Sequence, residues 1–319
     1  MITLKFKSLV WKNVLSWIIP ALLLLIALSL PKDGVAGQRS PSDHSPAIIC
    51  SIQPLAFFAQ AIAGNHARIS VMVPPGANPA TYEPKPVQMA QLSSNAIYLS
   101  ADLPFEQAWL PRFKQQNPGL RIIHINHGIA LQPMDRKHQT MKTRAENMRN
   151  LDPHTWLSPP LAMLIARNIF SALIDLMPEK QDAFTRNYLQ LLTRVSKLDT
   201  KIAALFRTVP KDQRVLLTFH PAWGYFADAY GFTQIVVEKE GKEPSIRELS
   251  NICSQVKRLG IDFILVQPQF SQKSAKALGS ICNLRLITAD PLSMDWDNNL
   301  LRLATLLAKR SSKIQSANN

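Results

Sequence analysis

The sequence predicts an α/β protein with two lobes, each a parallel sheet flanked by helices, joined by one long helix. Two observations lead to this fold class. From residue 47 onward, short apolar runs alternate with helix-length amphipathic segments, which is the pattern of β-α-β units in a parallel sheet. The pattern occurs twice, and a stretch without glycine or proline, residues 179–207, separates the two occurrences.

The first lobe is predicted to span residues 46–178. Its helices should begin near Pro54, Pro86 and Pro104, because a proline in the first helical turn sacrifices no hydrogen bond. A polar, basic stretch without periodicity, residues 133–150, is expected to be an exposed loop. The strands are expected where apolar residues cluster, at residues 47–52, 68–73, 96–100 and 120–124.

Residues 179–208 are predicted to form the connecting helix, and residues 209–313 the second lobe. In the connection, apolar residues recur at steps of three and four, at Leu191, Val195, Leu198, Ile202 and Leu205. A helical connection should resist wide hinge closure of the lobes. The second lobe repeats the scheme of the first, with strands at 214–219, 233–237, 262–266 and 284–288 and helices at 222–230, 245–259, 271–281 and 298–313.

The N-terminal residues 1–37 are predicted to be a secretory signal peptide. Three lysines precede an apolar segment, residues 17–30, that is shorter than the about 20 residues of a membrane span. The small residues before position 38 make only a weak cleavage site, so an uncleaved anchor is the alternative. No cysteine follows closely enough for lipid attachment. We therefore expect a periplasmic protein that is not tethered by lipid.

The net charge and the cysteines indicate which partners and which kind of cellular compartment to expect. The 319-residue chain has a net charge of +14, but it carries no nucleic-acid-binding signature, so no nucleic acid partner is expected. Three cysteines leave at least one unpaired. Cys253 and Cys282 fall in the same predicted lobe and could form a disulfide in an oxidising compartment, whereas Cys50 lies in an apolar strand and is expected to be a buried thiol.

Three short motifs carry candidate metal ligands. Asp152-Pro153-His154 lies in a predicted loop, His220-Pro221 ends a predicted strand, and Asp290-Pro291 follows another. Each motif alone is weak, since Asp and Pro are common in turns for backbone reasons. Ligands of open α/β sheets bind beyond the carboxyl ends of the strands, however. We therefore expect these residues to meet in the cleft between the lobes.

Together the motifs resemble the zinc/manganese-type periplasmic solute-binding proteins of bacterial metal ABC importers, the ZnuA/TroA-like family. The resemblance covers residues 48–309 and extends to Tyr82-Glu83-Pro84, Trp156-Leu157, Gly224-Tyr225-Phe226, residues 240–245 and Val266-Gln267-Pro268-Gln269-Phe270. It implies a monomeric substrate-binding component that captures a divalent metal ion and delivers it to an inner-membrane ABC permease. It implies no enzymatic activity and no organic cofactor.

The resemblance implies His154, His220 and Asp290 as metal ligands. Two imidazole nitrogens and a carboxylate suit Zn²⁺ and make Mn²⁺ the less favoured cargo. In the family a further histidine ligand lies in a G-x-x-P-H-x-Y-E-P stretch, and this chain has Ala80 at that place. The fourth position would then fall to water, to the second oxygen of Asp290, or to Glu83 as an auxiliary ligand.

Two other functions compete with metal capture. The loss of the first histidine allows a degenerate member of the same scaffold that binds a metal chelate or another small solute, or that acts without metal. Two histidines, a carboxylate and an open position for water also match the ligand set of a catalytic zinc site. No H-E-x-x-H or similar motif accompanies them, so an enzyme is the least favoured interpretation.

Overall fold

The structure, a computed structural model, describes residues 45–134, 151–238, 245–270 and 272–318. The predicted signal peptide, residues 1–37, lies outside the described residues. So does the predicted loop 133–150 beyond its first two residues.

The first lobe is built on one four-stranded parallel sheet with the strand order β2-β1-β3-β4. The strands are β1 (Ala47–Cys50), β2 (Arg68–Val71), β3 (Asn95–Ser100) and β4 (Arg121–His124), and the helices are α1 (Gln53–Ala63), α2 (Pro86–Leu92) and α3 (Pro104–Gln116). Each helix has a proline at its first or second position, as predicted. The strands β1 and β2 end two residues earlier than predicted, and β3 and β4 end at the predicted residue.

A helix that was not predicted precedes the long connecting helix. A single 3-10 turn (Thr155–Leu157) leads into α4 (Pro159–Leu176), and α5 (Gln181–Phe206) follows after a second turn (Pro178–Lys180). The sequence analysis predicted α5 but not α4, although α4 buries residues at helical steps: Ala162, Ile165, Ala166, Ile169, Ala172 and Leu173. Of the described helices, α4 alone has the length and apolar composition of a membrane span, a property that buried core helices share.

The second lobe repeats the first, with a parallel sheet in the order β6-β5-β7-β8. The strands are β5 (Val215–Thr218), β6 (Thr233–Val236), β7 (Phe263–Val266) and β8 (Arg285–Thr288), and the helices are α6 (Gly224–Tyr230), α7 (Ile246–Arg258), α8 (Lys273–Cys282) and α9 (Trp296–Asn318). A disulfide between Cys253 and Cys282 joins α7 to α8, and Cys50 is a buried free thiol, as expected.

The start of α6 corrects the sequence prediction. The helix was predicted from residue 222, but it begins at Gly224 because the chain first turns at the end of β5, where Ala222 N donates to His220 O at 2.9 Å. This turn keeps His220 out of the helix and at the carboxyl end of the sheet. The helix α9 begins two residues earlier than predicted, at Trp296, whose side chain packs in the hydrophobic core.

The two lobes share one hydrophobic core. The main cluster of buried side chains includes Ile48 of β1, Val195 of α5, Leu216 and Phe263 of the second sheet, and Leu300 of α9. Alternate residues of the second sheet face away from it and form a smaller cluster beneath α7 and α8. Because most of the apolar surface between the lobes is buried in common, wide separation of the lobes would expose it to water.

The helix α5 touches both lobes along its length. Near its start, Asn187 Nδ2 donates to Ile62 O of α1 at 2.9 Å. Further along, Arg194 Nε donates to Asp297 Oδ2 of α9 at 2.6 Å, and Asp199 Oδ1 accepts the Tyr230 hydroxyl of α6 at 2.8 Å. The long connecting helix is therefore confirmed. The lobe boundaries predicted at residues 178 and 208 stay a prediction.

Two buried tryptophans tie the second lobe to the first. Trp156 Nε1 donates to Pro291 O at 2.8 Å, and Trp296 Nε1 donates to Trp156 O at 2.7 Å. The Trp296 ring also packs on Phe57 and Phe58 of α1, with ring centroids 5.5 and 4.9 Å away. Each indole N–H is satisfied, so this junction carries no buried unpaired donor.

We expect Trp296→Ala to lower the free energy of unfolding by about 3–5 kcal/mol, because it leaves a large cavity in the shared core and removes the bond to Trp156 O. Urea denaturation measures the loss. The matched control is Trp109→Ala, which truncates a half-buried tryptophan on α3 and should cost clearly less. Equal losses in the two variants would contradict a special role for the Trp296 junction.

The first lobe contains a buried acidic side chain, Glu106, in the first turn of α3. Glu106 is 1% exposed, and its Oε2 accepts the Leu103 N–H at 2.7 Å. Burial raises the pKa of the Glu106 carboxyl to about 7, although the Leu103 N–H and the nearby Tyr98 and Ser100 hydroxyls act in the opposite direction. The folded chain therefore holds this proton more tightly than the unfolded chain does.

From this pKa we expect Glu106 to lower the stability of the fold as the pH rises from about 4.5 to about 7. Below about 4.5 the carboxyl is protonated in both states and the penalty is absent, and above about 7 it is complete, at about 3 kcal/mol. Glu106→Gln should flatten this part of the stability profile, whereas Glu179→Gln, at an exposed carboxylate, should not. Urea denaturation at several pH values tests it; parallel profiles for wild type and Glu106→Gln would contradict it.

Candidate metal centre

The Asp152-Pro153-His154 turn presents His154 in a fixed orientation. Asp152 Oδ1 accepts the His154 N–H at 2.9 Å and lies 2.8 Å from the ring nitrogen Nδ1. Both residues are buried, and the Tyr225 hydroxyl donates to Asp152 O at 2.9 Å from the second lobe. An ionised carboxylate only accepts hydrogen bonds, so Nδ1 carries the hydrogen and Nε2 keeps its lone pair for a ligand.

His220 is held by a similar contact at the carboxyl end of β5. Its Nδ1 lies 3.1 and 3.2 Å from the two carboxylate oxygens of Glu238, which follows β6. The Phe270 ring stacks on the imidazole with centroids 4.6 Å apart. Gln267 Nε2 fixes the backbone by donating to His220 O at 3.1 Å. Here too, the carboxylate at Nδ1 leaves Nε2 as the nitrogen that can bind a metal ion.

The two imidazoles lie against each other, with ring centroids 5.4 Å apart and planes at 74°. If one ion lay about 2.0–2.1 Å from a nitrogen of each ring, at a tetrahedral angle, the ring centres would be about 5 Å apart. The observed separation is therefore suitable for two nitrogens that share one zinc ion. His154 comes from the first lobe and His220 from the second, so the pair lies where the lobes meet.

Electrostatics favour the neutral form of His220. Burial lowers the pKa of the imidazole, and the neighbouring His154 adds to this effect, while the hydrogen bond and the charge of Glu238 raise the pKa in part. A neutral imidazole is the form that binds metal. The carboxylates of Asp152 and Glu238 supply the negative charge that a bound cation needs nearby.

Asp290 lies just past β8, in a loop that the Trp156 indole anchors through Pro291 O. Its carboxylate is half-buried, and its Oδ1 accepts two hydrogen bonds, from Gln269 Nε2 at 2.7 Å and from Leu292 N at 2.9 Å. Contacts on both sides link it to the histidines: Trp156 lies beside the His154 ring, and Gln269 precedes the Phe270 that stacks on His220.

The stretch that carries Ala80 is a surface loop. Ala80 is exposed, and its N–H donates to Asn78 Oδ1 at 2.9 Å. Tyr82 has a structural role, since its hydroxyl donates to Gln88 Oε1 at 2.6 Å and Gln88 Nε2 donates to Met72 O at the end of β2. Glu83 is exposed, and no contact in the described part of the chain brings it to either histidine.

The predicted ligands do not form a finished coordination sphere. Within residues 45–134, 151–238, 245–270 and 272–318, no three His, Cys, Asp or Glu side chains are grouped so that they could hold a metal ion. The structure brings His154 and His220 together. The contacts of the Asp290 carboxylate are with Gln269 and Leu292, and only these neighbours link it indirectly to the two histidines. The three-ligand set stays a prediction.

Sequence reasoning missed two residues of this site. Glu238 was not considered, although it follows a strand of the second sheet just as His220 and Asp290 do, and that position was the available signal. Gln269 was noted only as part of a motif. Nothing in the sequence showed that its amide reaches the carboxylate of Asp290.

Two like α/β lobes with a shared core, a bridging helix and a histidine pair where the lobes meet define a two-lobed solute-binding protein. Residues 48–306 match the family described as zinc-uptake complex component A, periplasmic, and the chain belongs to this family.

Relatives of known structure and sequence agree with this assignment. The zinc-binding protein AdcA of Streptococcus pyogenes is 25% identical over 262 residues, which are 77% of this chain and 50% of AdcA, so the chain spans about half the length of that relative. A crystal structure of ZnuA matches with a TM-score of 0.76 and 35% identity over 83% of this chain and 98% of that chain. The structure of a ZnuA deletion mutant with zinc bound matches with a TM-score of 0.76 and 34% identity, over 84% of this chain and 98% of the mutant chain.

These comparisons confirm the resemblance to the ZnuA/TroA-like family and the two-lobed α/β fold. They also confirm that the protein is not an enzyme, because the family is a solute-binding component of uptake systems. The family is described as periplasmic, in agreement with the compartment expected from the sequence.

We expect Glu238→Gln to lower the pKa of His220 further, because the carboxylate that favours the charged imidazole is lost. The ring-proton chemical shifts of His220, followed by NMR over a pH titration, measure the change. Glu179→Gln, at an exposed carboxylate on the connection between the lobes, is the control and should leave the His220 titration unchanged. An unchanged or raised pKa in Glu238→Gln would show that the two side chains do not interact in solution.

Proposed function

We propose that this protein is the substrate-binding component of an ABC importer and that it captures a divalent metal ion, Zn²⁺, between its lobes. The observation that carries the proposal is the His154–His220 pair, whose ring centroids lie 5.4 Å apart and whose Nδ1 atoms each face a carboxylate. Such carboxylate–histidine pairs orient Nε2 toward a metal and increase its basicity. The ligands we propose are His154, His220 and Asp290.

The donor set favours zinc over manganese. Two imidazole nitrogens and one carboxylate oxygen are typical of zinc, whereas manganese favours sites made mainly of oxygen. The zinc-binding name of AdcA and the zinc-bound ZnuA structure support this choice. No organic cofactor enters the proposal.

Ala80 reduces the number of protein ligands to three. We propose that water takes the fourth position. Glu83 is the weaker alternative, because it is exposed and lies in a loop whose Tyr82 is engaged by Gln88. With one protein ligand fewer, the affinity for zinc should be lower than in a site with three histidines, since even the loss of an indirect partner costs 10–100-fold.

The cellular role follows from the family and the predicted signal peptide. We propose that residues 1–37 direct the chain to the periplasm, that the mature protein is a monomer, and that it delivers its metal to an inner-membrane ABC permease. Membership of a periplasmic zinc-uptake family supports this role.

A second candidate function keeps the scaffold and changes the cargo. Ala80 and the incomplete grouping of ligands in the described part of the chain both favour a site that holds a metal chelate or another small solute, or that works without metal. The two candidates differ in whether the protein binds a bare zinc ion.

Zinc titration by calorimetry on the metal-stripped protein tests the proposal. We expect one zinc per chain, a loss of affinity of about 100-fold or more in His220→Ala, and a gain of about tenfold or more in Ala80→His, because the variants remove and restore an imidazole ligand. His127→Ala, at an exposed histidine, is the control and should bind as wild type does.

Each other outcome selects an alternative. If wild type binds no zinc and Ala80→His does, the scaffold has lost its metal and the second candidate is correct. If neither wild type nor Ala80→His binds zinc, the proposed ligand set is wrong.

A further inference from the structure

The segment that follows β7 contacts both proposed metal ligands of the second lobe, His220 and Asp290. Gln267 holds the backbone of His220, Gln269 holds the side chain of Asp290, and Phe270 stacks on the His220 ring. Of these contacts, only the one from Gln269 reaches an atom that could itself bind metal. Gln269 is 8% exposed, so its amide acts on Asp290 in a largely water-free place.

The direction of the Gln269 amide is set by chemistry. Its Nε2 lies 2.7 Å from Asp290 Oδ1, and an NH₂ group donates to a carboxylate whereas the amide oxygen would repel it. The backbone N–H of Leu292 donates to the same Oδ1 at 2.9 Å. A carboxylate oxygen has two lone pairs in its plane, so these two donors occupy both of them on Oδ1.

A carboxylate with one oxygen occupied in this way binds a metal ion through the other oxygen alone. The proposed site then offers three protein donors, namely His154 Nε2, His220 Nε2 and Asp290 Oδ2, and a water makes four. Four donors with two nitrogens match zinc, while manganese and other ions that favour six oxygen-rich positions would lack ligands.

We propose that Gln269 determines the metal specificity of this site by keeping Asp290 a one-oxygen ligand. The inference rests on the proposed function and deepens it. Gln269 touches no metal itself, so it is a positioning residue, and its effect is on which metal binds rather than on whether the chain folds.

Two variants release Oδ1. Gln269→Leu removes the donor and keeps a similar volume, and Gln269→Met removes the donor and keeps the length of the side chain. In both variants Oδ1 keeps only the bond from Leu292 N, so one lone pair becomes free for the metal. Gln60→Leu, at an exposed glutamine on α1, is the matched control. Thermal unfolding of each variant shows that it is folded.

The experiment measures the affinities for Zn²⁺ and Mn²⁺ by calorimetry and the visible absorption spectrum of the Co²⁺-loaded protein, which is intense for four ligands and weak for five or six. We expect both Gln269 variants to reduce the ratio of zinc to manganese affinity by about tenfold or more, in the range of other outer contacts of metal sites. Their Co²⁺ spectra should weaken, while Gln60→Leu and wild type should give the same ratio and the same intense spectrum.

The possible outcomes distinguish a failure of the role proposed for Gln269 from a failure of the proposed metal-binding function. If wild type binds zinc and folded Gln269 variants keep its affinity ratio and its Co²⁺ spectrum, the role of Gln269 is wrong and the metal-binding function stands. If wild type binds neither zinc nor cobalt, the proposed function fails and the inference fails with it. If only one variant folds, that variant decides.

Discussion

The reciprocal bonds of Trp156 and Trp296 are the constraint on which the rest of this structure depends. Each indole is buried, so each N–H must find an acceptor, and the acceptors are backbone carbonyls on the opposite side of the lobe junction. One of them belongs to Pro291, directly after Asp290, and Trp156 lies two residues beyond His154. The same interaction that joins the lobes therefore also sets the loops that carry two proposed ligands.

The carboxylates beside His154 and His220 orient both imidazoles independently of the loop that carries Ala80. Asp152 and Glu238 each face an Nδ1, so both rings are oriented before any ion arrives. Ala80 belongs to an exposed loop that lies outside this arrangement. In the proposed ligand set Ala80 supplies no donor, and the orientation of the two imidazoles does not depend on it, because their supports come from different segments of the chain.

Much of the fold could be predicted because its signals are local. Prolines at the helix starts and apolar runs of four to six residues located α1 to α3 and all eight described strands to within two residues. The helix α4 was missed, although Pro159 and Pro160 at its first two positions are the same signal that located α1 to α3. Glu238 had one signal, its position directly after a strand, but its partner His220 is 18 residues away in sequence, and Gln269 could not be assigned, because its contact with Asp290, 21 residues away, arises only in the packed sheet.

The shared core restricts how the ligand set can be completed. The main hydrophobic cluster runs through both lobes, so a wide hinge motion would expose it, and Asp290 cannot be carried to the histidines in that way. Rotation of the Asp290 side chain would break the bonds from Gln269 and Leu292. For the ligand set proposed above, the remaining route is a small shift of the loop around Asp290, which would bring Asp290 Oδ2 to the two imidazoles without opening the lobes.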